Sequence, residues 1–224
     1  MEEFVFNFFN IEILEIVWPQ LMRGLVTTLE LSAAIVPAGI LLGLLVACAQ
    51  SFGIRILNIS MVVYTDFFRA FPPLVLLVFT YYALPYLGVE LSTFAAVLLA
   101  LSLTCSAYFA EVLRAGIESI PKGQIEAARS TGLNSLQTLV LIVLPQAFRK
   151  MLPDLISNIL ESVKLTSLAS VVTLPELMRM ARMAQGNTFN ATPLIAAALI
   201  YLVLLWPVVR ALAHLEQRSL KQSR

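Results

Sequence analysis

Charge is missing from four stretches of this chain, Leu31–Ile54, Ala70–Val89, Leu91–Ala110 and Met183–Val209. Each is at least about 20 residues long, the length a helix needs to cross hydrocarbon. Apolar and polar positions do not alternate within them, which excludes a transmembrane barrel and leaves helices as the spanning element. The pattern predicts spans over 24–49, 60–86, 91–115 and 190–213. A further span is expected after Arg149-Lys150, in an apolar stretch that carries Asp154, Glu161 and Lys164. The expected fold class is all-α: an integral membrane protein with five transmembrane helices. A membrane domain over 24–215 would follow an N-terminal segment, 1–23, and precede a tail, 216–224.

Between the third and fourth spans lies a polar loop, 117–146, long for a membrane connection. It predicts two short helices. The first, 122–131, follows Pro121 and stops at Gly132, a residue suited to a left-handed helix end. The second starts at Asn134, with Gln137 three residues on as a capping-box variant, and is expected to end at Pro145. A third short helix, amphipathic and suited to the membrane surface, is expected to begin at a Thr173/Glu176 capping box and end near Gly186.

Basic residues orient the spans. With the 117–146 loop in the cytoplasm, that side holds Arg55, Arg114, Lys122, Arg129, Arg149 and Lys150, and the tail adds Arg210, Arg218, Lys221 and Arg224. The other side holds Arg23, Arg179 and Arg182 beside an acidic N-terminal stretch, Glu2, Glu3, Glu12 and Glu15. This puts the N-terminus outside and the C-terminus inside. An acidic start with no small-residue cleavage pattern does not resemble a removable signal peptide.

Composition agrees with lipid as the solvent: 59% of residues are hydrophobic and 13% charged, with a mean hydropathy of +0.85. Net charge, +1, says nothing about partners. Cys48 and Cys105 sit in apolar runs without a CxxC pair and are expected to pack as small apolar residues. His214 stands alone, so no metal site is expected, and no cofactor is expected either. The nine glycines include no G-x-x-x-x-G-K-[ST] phosphate loop. Energy from ATP would have to come through a partner.

Within the polar loop stand Glu126-Ala127-Ala128, then Gly132, then Ile142-Val143-Leu144-Pro145. Ala127 and Ala128 have no bulk, so another protein's groove could approach the helix backbone closely. Glu126 offers a charge for register, and Gly132 lets the chain reverse sharply. A rigid two-helix knob transmits a push that a floppy loop would not. The spacing resembles, position for position, the EAA-x3-G-x9-I-x-L-P loop of the membrane subunits of bacterial ABC importers. Asp66-Phe67-Phe68-Arg69-Ala70-Phe71-Pro72-Pro73-Leu74 is similar to the E-F-F-R-G-T-P-L-L element of their polar amino-acid permeases. Ser106–Ile117, Pro121-Lys122-Gly123-Gln124, Leu144-Pro145-Gln146-Ala147 and Lys164-Leu165-Thr166-Ser167-Leu168 resemble further elements of that group, so the likeness covers about residues 20–215. Leu165 departs from it, replacing an acid next to Lys164.

The resemblance implies a permease subunit of the bacterial inner membrane, not an enzyme, that moves a polar amino acid or related small zwitterion. Expected partners are two copies of an ATP-binding subunit docked at Glu126, Ala127, Ala128, Gly132 and Pro145. A second permease subunit, the same or related, and a periplasmic solute-binding protein complete the set. The lipid bilayer surrounds them, and nucleic acid is not among the partners. An opine or compatible solute is an alternative cargo. A channel or ion-coupled carrier would want a continuous polar stripe or internal repeats, and an intramembrane enzyme would want a cluster of acid, base or nucleophile; the sequence offers none of these.

Candidate passage residues follow from depth. Glu161 and Lys164 lie roughly 16–21 Å along a helix begun near Lys150, where charge is costly unless it faces protein or water. Three residues apart, they share a helix face. They are either a self-neutralising structural pair or, with Thr166 and Ser167, a lining for the passage. Arg69 either snorkels to the cytoplasmic interface or serves as a gate or substrate contact. Glu111 and Arg114 are expected to pair at an interface, and Gly39/Gly43 with Ser102, Ser106 and Ala110 to provide close helix packing.

Overall fold

The computed structural model describes residues 2–51 and 54–222, and every regular element among them is helical. In chain order these are α1 (Glu2–Phe8), α2 (Ile11–Ser51), α3 (Arg55–Ala70), α4 (Pro73–Tyr82), α5 (Thr93–Glu118), α6 (Lys122–Ser130), α7 (Ser135–Thr138), α8 (Leu144–Leu165), α9 (Leu177–Thr188) and α10 (Thr192–Gln222). Of the basic tail, Arg224 lies outside the described residues, as do the side chains of His214, Arg218 and Lys221.

Among the described residues, three helices are long and apolar enough to cross a membrane: Phe6–Ser51, Thr93–Glu118 and Thr192–Ala213. The bent pair Arg55–Ala70 and Pro73–Tyr82 makes a fourth if counted as one broken span. The second predicted span is therefore two helices. Pro72 pushes the residue before it out of the helical region, and Phe71 is extended at φ −82°, ψ 128°. Pro73 then opens α4, where its missing N–H costs nothing. The expected fourth span, α8, carries Arg149, Lys150, Asp154, Glu161 and Lys164 and falls below the apolarity of the others.

Other boundaries also move. The first span is predicted from 24, whereas α2 starts at Ile11 and has 41 residues. At about 1.5 Å per residue it is twice as long as a hydrocarbon core is thick. Its early turns are helical because Val17 and Leu21 bury against Leu177, Ala181 and Ala197. Pro145 does not end a helix. The backbone widens into a π turn over Leu139–Val143 and continues directly into α8, where Pro145 occupies the first turn.

The residues cluster into two compact units. The first holds Met1–Ile35, Pro73–Leu101 and Leu160–Ala211, with its core around Leu21, Leu177 and Ala181. In it, α4 packs against the 3₁₀ segment Thr166–Val172. The second holds Val36–Pro72, Ser102–Ile159 and Leu212–Arg224. Its core is a close helix contact in which Phe109 is fully buried and the Cβ of Phe109 and backbone atoms of Ser106 and Ala110 crowd Gly43. Ser106 also bonds the Tyr64 hydroxyl at 2.6 Å. The small residues noted in the sequence thus meet one another.

A methyl group on Gly43 would lie 2.9 Å from both Ala110 N and Ser106 O. Gly43→Ala should therefore cost about 1–3 kcal/mol, as overpacking does, and lower the melting temperature of the detergent-solubilised subunit. Gly123→Ala meets nothing within 4 Å and should not. Equal melting temperatures for the two variants would contradict the packing described.

Candidate functional site

The polar loop forms a compact knob in the second unit. Asn134 caps α7 by accepting from the Gln137 N–H, and the Gln137 side chain returns the bond to Asn134 N–H, each at 2.9 Å. Gly132 takes φ +90°, a conformation costly for any residue with a Cβ. The Arg129 guanidinium donates to Ser135 Oγ at 2.9 Å, tying α6 to α7 across the turn. Glu126, Ala127 and Pro145 are exposed, whereas Ala128 is buried in its own unit. The expectation that both alanines face a partner is thus corrected for Ala128, whose lack of bulk serves the knob's own packing.

Arg69 belongs to this same unit, at the C-terminal end of α3. Its guanidinium reaches Glu111 at 3.6 Å. Arg114 holds that carboxylate at 2.5 Å and bonds Glu118 at 2.7 Å, so alternating charges run across two helices. They border a cleft of about 350 Å³ that also exposes Asn58 and Asp66. The expected Glu111–Arg114 pair is present, extended at both ends.

Glu161, Lys164, Thr166 and Ser167 belong to the first unit; Glu161 pairs with Lys164 and Ser167 bonds back to it, whereas Thr166 is fully buried. Lys164 Nζ bonds Glu161 Oε1 at 2.5 Å one turn before α8 ends. The last carbonyls of a helix lack amide partners, and here hydroxyls supply them: Thr166 donates to Val163 O at 2.6 Å and Ser167 to Lys164 O at 2.8 Å. This local bonding accompanies the tightening from α8 into the 3₁₀ turn. The ion pair is open, with the Glu161 and Lys164 side chains 63% and 50% exposed, so none of the described residues covers it. Beside it is a cavity of about 450 Å³ that Lys164 and Ser167 share with Tyr201, Leu202 and Trp206. The arrangement offers an ammonium, a carboxylate and a hydroxyl at one end of an otherwise apolar wall.

Sequence reasoning missed the residues that hold this segment. Thr173 was expected to cap α9, but it sits in the left-handed region at φ 66° and closes the 3₁₀ turn instead. Glu176 is the cap, accepting from the Met178 and Arg179 amides at 2.8 and 2.7 Å. It is completely buried and also accepts from the Tyr201 hydroxyl at 3.1 Å. The Leu177 N–H donates to Thr28 Oγ1 at 3.1 Å. The signal available was a tyrosine alone in an apolar run, whose hydroxyl needs a partner in lipid. Its partner could not be read from spacing.

Residues 39–221 match the family described as the binding-protein-dependent transport system inner membrane component. A Bacillus subtilis protein named "Probable amino-acid ABC transporter permease protein YckA" is 39% identical over 82% of each chain. Another from that organism, "Probable glutamine ABC transporter permease protein GlnP", is 36% identical over 89% of this chain and 93% of its own. Among solved structures, an amino acid ABC transporter crystallised with histidines matches with a TM-score of 0.80 and 33% identity, over 89% of this chain and 94% of that one. The MetNI methionine transporter in an inward-facing form, at 21% identity and a TM-score of 0.75, shares the fold. Motifs, helical architecture and these likenesses agree, and the protein belongs to the family of inner membrane components of binding-protein-dependent transport systems.

Proposed function

We propose that this chain conducts a polar amino acid or related small zwitterion inward across the inner membrane as the permease subunit of an ATP-driven importer. The observation that carries this reading is the family match together with relatives named as amino-acid and glutamine permeases. Two permease subunits, identical or related, face each other. Two copies of an ATP-binding subunit dock on the 117–146 loop, and a periplasmic protein delivers the solute. Closure of the ATPase pair draws the docking loops together and opens the passage outward; release reverses it.

The five-span arrangement is part of the proposal, with α8 as the fourth span. Its charges are tolerable because helix faces turned to a wet passage or a partner need not meet lipid. The N-terminus is then outside and the C-terminus inside, as the basic residues favour. Glu126, Ala127, Gly132 and Pro145 present the docking surface, Ala128 supports it, and Arg69, bonded to Glu111, serves as a gate or substrate contact.

Lys164 meets the solute carboxylate, Glu161 its amino group, and the Thr166 and Ser167 hydroxyls shape the bend between them. Both side chains are open in this chain, which leaves their charges able to meet a solute. With Leu165 in place of an acid, the chain supplies one carboxylate here rather than two, which suits a neutral zwitterion better than a cation.

Two outcomes are expected. A cysteine replacing Gln124 should react with a membrane-impermeant maleimide only from the cytoplasmic face, and the bound ATP-binding subunit should shield it. Reaction from outside, or no shielding, would remove the docking assignment. The double change Glu161→Gln with Lys164→Met should assemble and keep nucleotide hydrolysis coupled to docking while moving no solute. Full uptake by that double variant would leave the pair a structural feature.

A further inference from the structure

A carboxylate with no exposed surface must have its lone pairs bonded, because burying it unpaired is costly. Glu176 is fully buried and spends three bonds: two on the Met178 and Arg179 amides, one on the Tyr201 hydroxyl. The first two are an ordinary helix cap, a task at which serine, threonine, aspartate and asparagine excel. Glutamate is not a preferred cap. What its longer side chain adds is the third bond, which reaches from the start of α9 to α10.

The residue it reaches matters. Tyr201 lines the same cavity as Lys164 and Ser167. Its hydroxyl also lies beside those of Thr28 and Thr166. Thr28 donates to Gly24 O at 3.0 Å and accepts the Leu177 N–H, so it too is fixed from two sides. Thr166 is completely buried, immediately precedes Ser167 and is bonded back to Val163. One half-buried tyrosine, through its hydroxyl, therefore ties α2, the 3₁₀ turn, the start of α9 and α10 at a single point.

We propose that Glu176, acting through the Tyr201 hydroxyl, is a positioning residue that fixes the wall of the Lys164–Ser167 cavity. The ring of Tyr201 stays in the cavity lining, and Ser167 keeps its place just past the end of α8. Glu176 need not touch the solute. The role of this joint in transport rests on the reading that Lys164 and Ser167 meet the solute; its geometric effect on Ser167 does not.

The test uses the full-length subunit purified with its ATP-binding partner, with Cys48 and Cys105 replaced by alanine and Ser167 by cysteine. The readouts are the melting temperature and the rate at which 2-aminoethyl methanethiosulfonate modifies position 167. Tyr201→Phe keeps the ring and its packing and removes only the hydroxyl. It should leave the melting temperature close to the parent's yet change the modification rate roughly tenfold, the shift that loss of one hydrogen bond to a charged group implies. Glu176→Ala should change the rate at least as much, whereas Glu176→Gln, which retains a carbonyl for the cap and a polar group for the phenol, should recover most of the parental rate. An unchanged rate in Tyr201→Phe would overturn the proposal, and so would a rate that moves only when the melting temperature falls. Uptake by the Glu161/Lys164 double variant fails independently of these rates: full transport there, with the rates shifted, would overturn the solute role and leave the effect on Ser167 established.

Discussion

Hydrocarbon provides no water to bond a peptide group, so at membrane depth the chain must satisfy its own backbone. Helices do this along nearly all of the described residues. Where regular helix stops, side chains take over the bonding. Ser92 Oγ accepts from Ala95 N–H at the start of α5. Thr166 and Ser167 bond the carbonyls that end α8, and Glu176 and Thr28 receive the three amides that start α9. The segment from Thr166 to Glu176 can leave the α-helix because these partners are built in, and this departure is what forms a polar corner beside an apolar wall. Thr173 shows the cost: a β-branched residue in the left-handed region stores strain that only the surrounding bonds can hold.

Small residues solve a different problem. Lipid tails are as apolar as leucine, so helices in a membrane associate by fit and by buried hydrogen bonds rather than by escape from water. Gly43 admits the backbone of α5, Gly24 admits that of α9 and Gly116 receives the side chain of Met151. The Tyr64–Ser106 bond adds a polar contact to the first of these, at 2.6 Å. Charge is handled by chaining. Arg69, Glu111, Arg114 and Glu118 neutralise one another in sequence, and each can retain access to water at its free edge.

What the sequence made legible follows from which forces are local. The all-helical class, the left-handed turn at Gly132 and the Asn134/Gln137 box depend on neighbours a few residues apart, and all are present. Boundaries set by distant contacts were not legible. The start of α2 is fixed by burial of Leu21 against Leu177 and Ala181, more than 150 positions away in the chain. Glu176 looked like the third residue of a capping box because its partner Tyr201 is 25 residues on. Pro145 looked like a stop because the π turn that accommodates it leaves no mark in hydropathy. At the candidate site, helical spacing was enough to put Glu161 and Lys164 on one face, where they pair; the joint between Glu176 and Tyr201 could not be read that way.

On the proposed reading, the subunit works by changing which side of a polar corner is open, with force arriving through the 117–146 loop from an ATP-binding partner. The most direct measurement is solute uptake into proteoliposomes that contain this subunit, its permease partner and the ATP-binding subunit, with the delivering protein added outside. The account predicts accumulation of a radiolabelled neutral amino acid that requires ATP in the lumen and vanishes with Gly132→Val, although that variant still inserts. Uptake without ATP, or undiminished uptake by Gly132→Val, would contradict it.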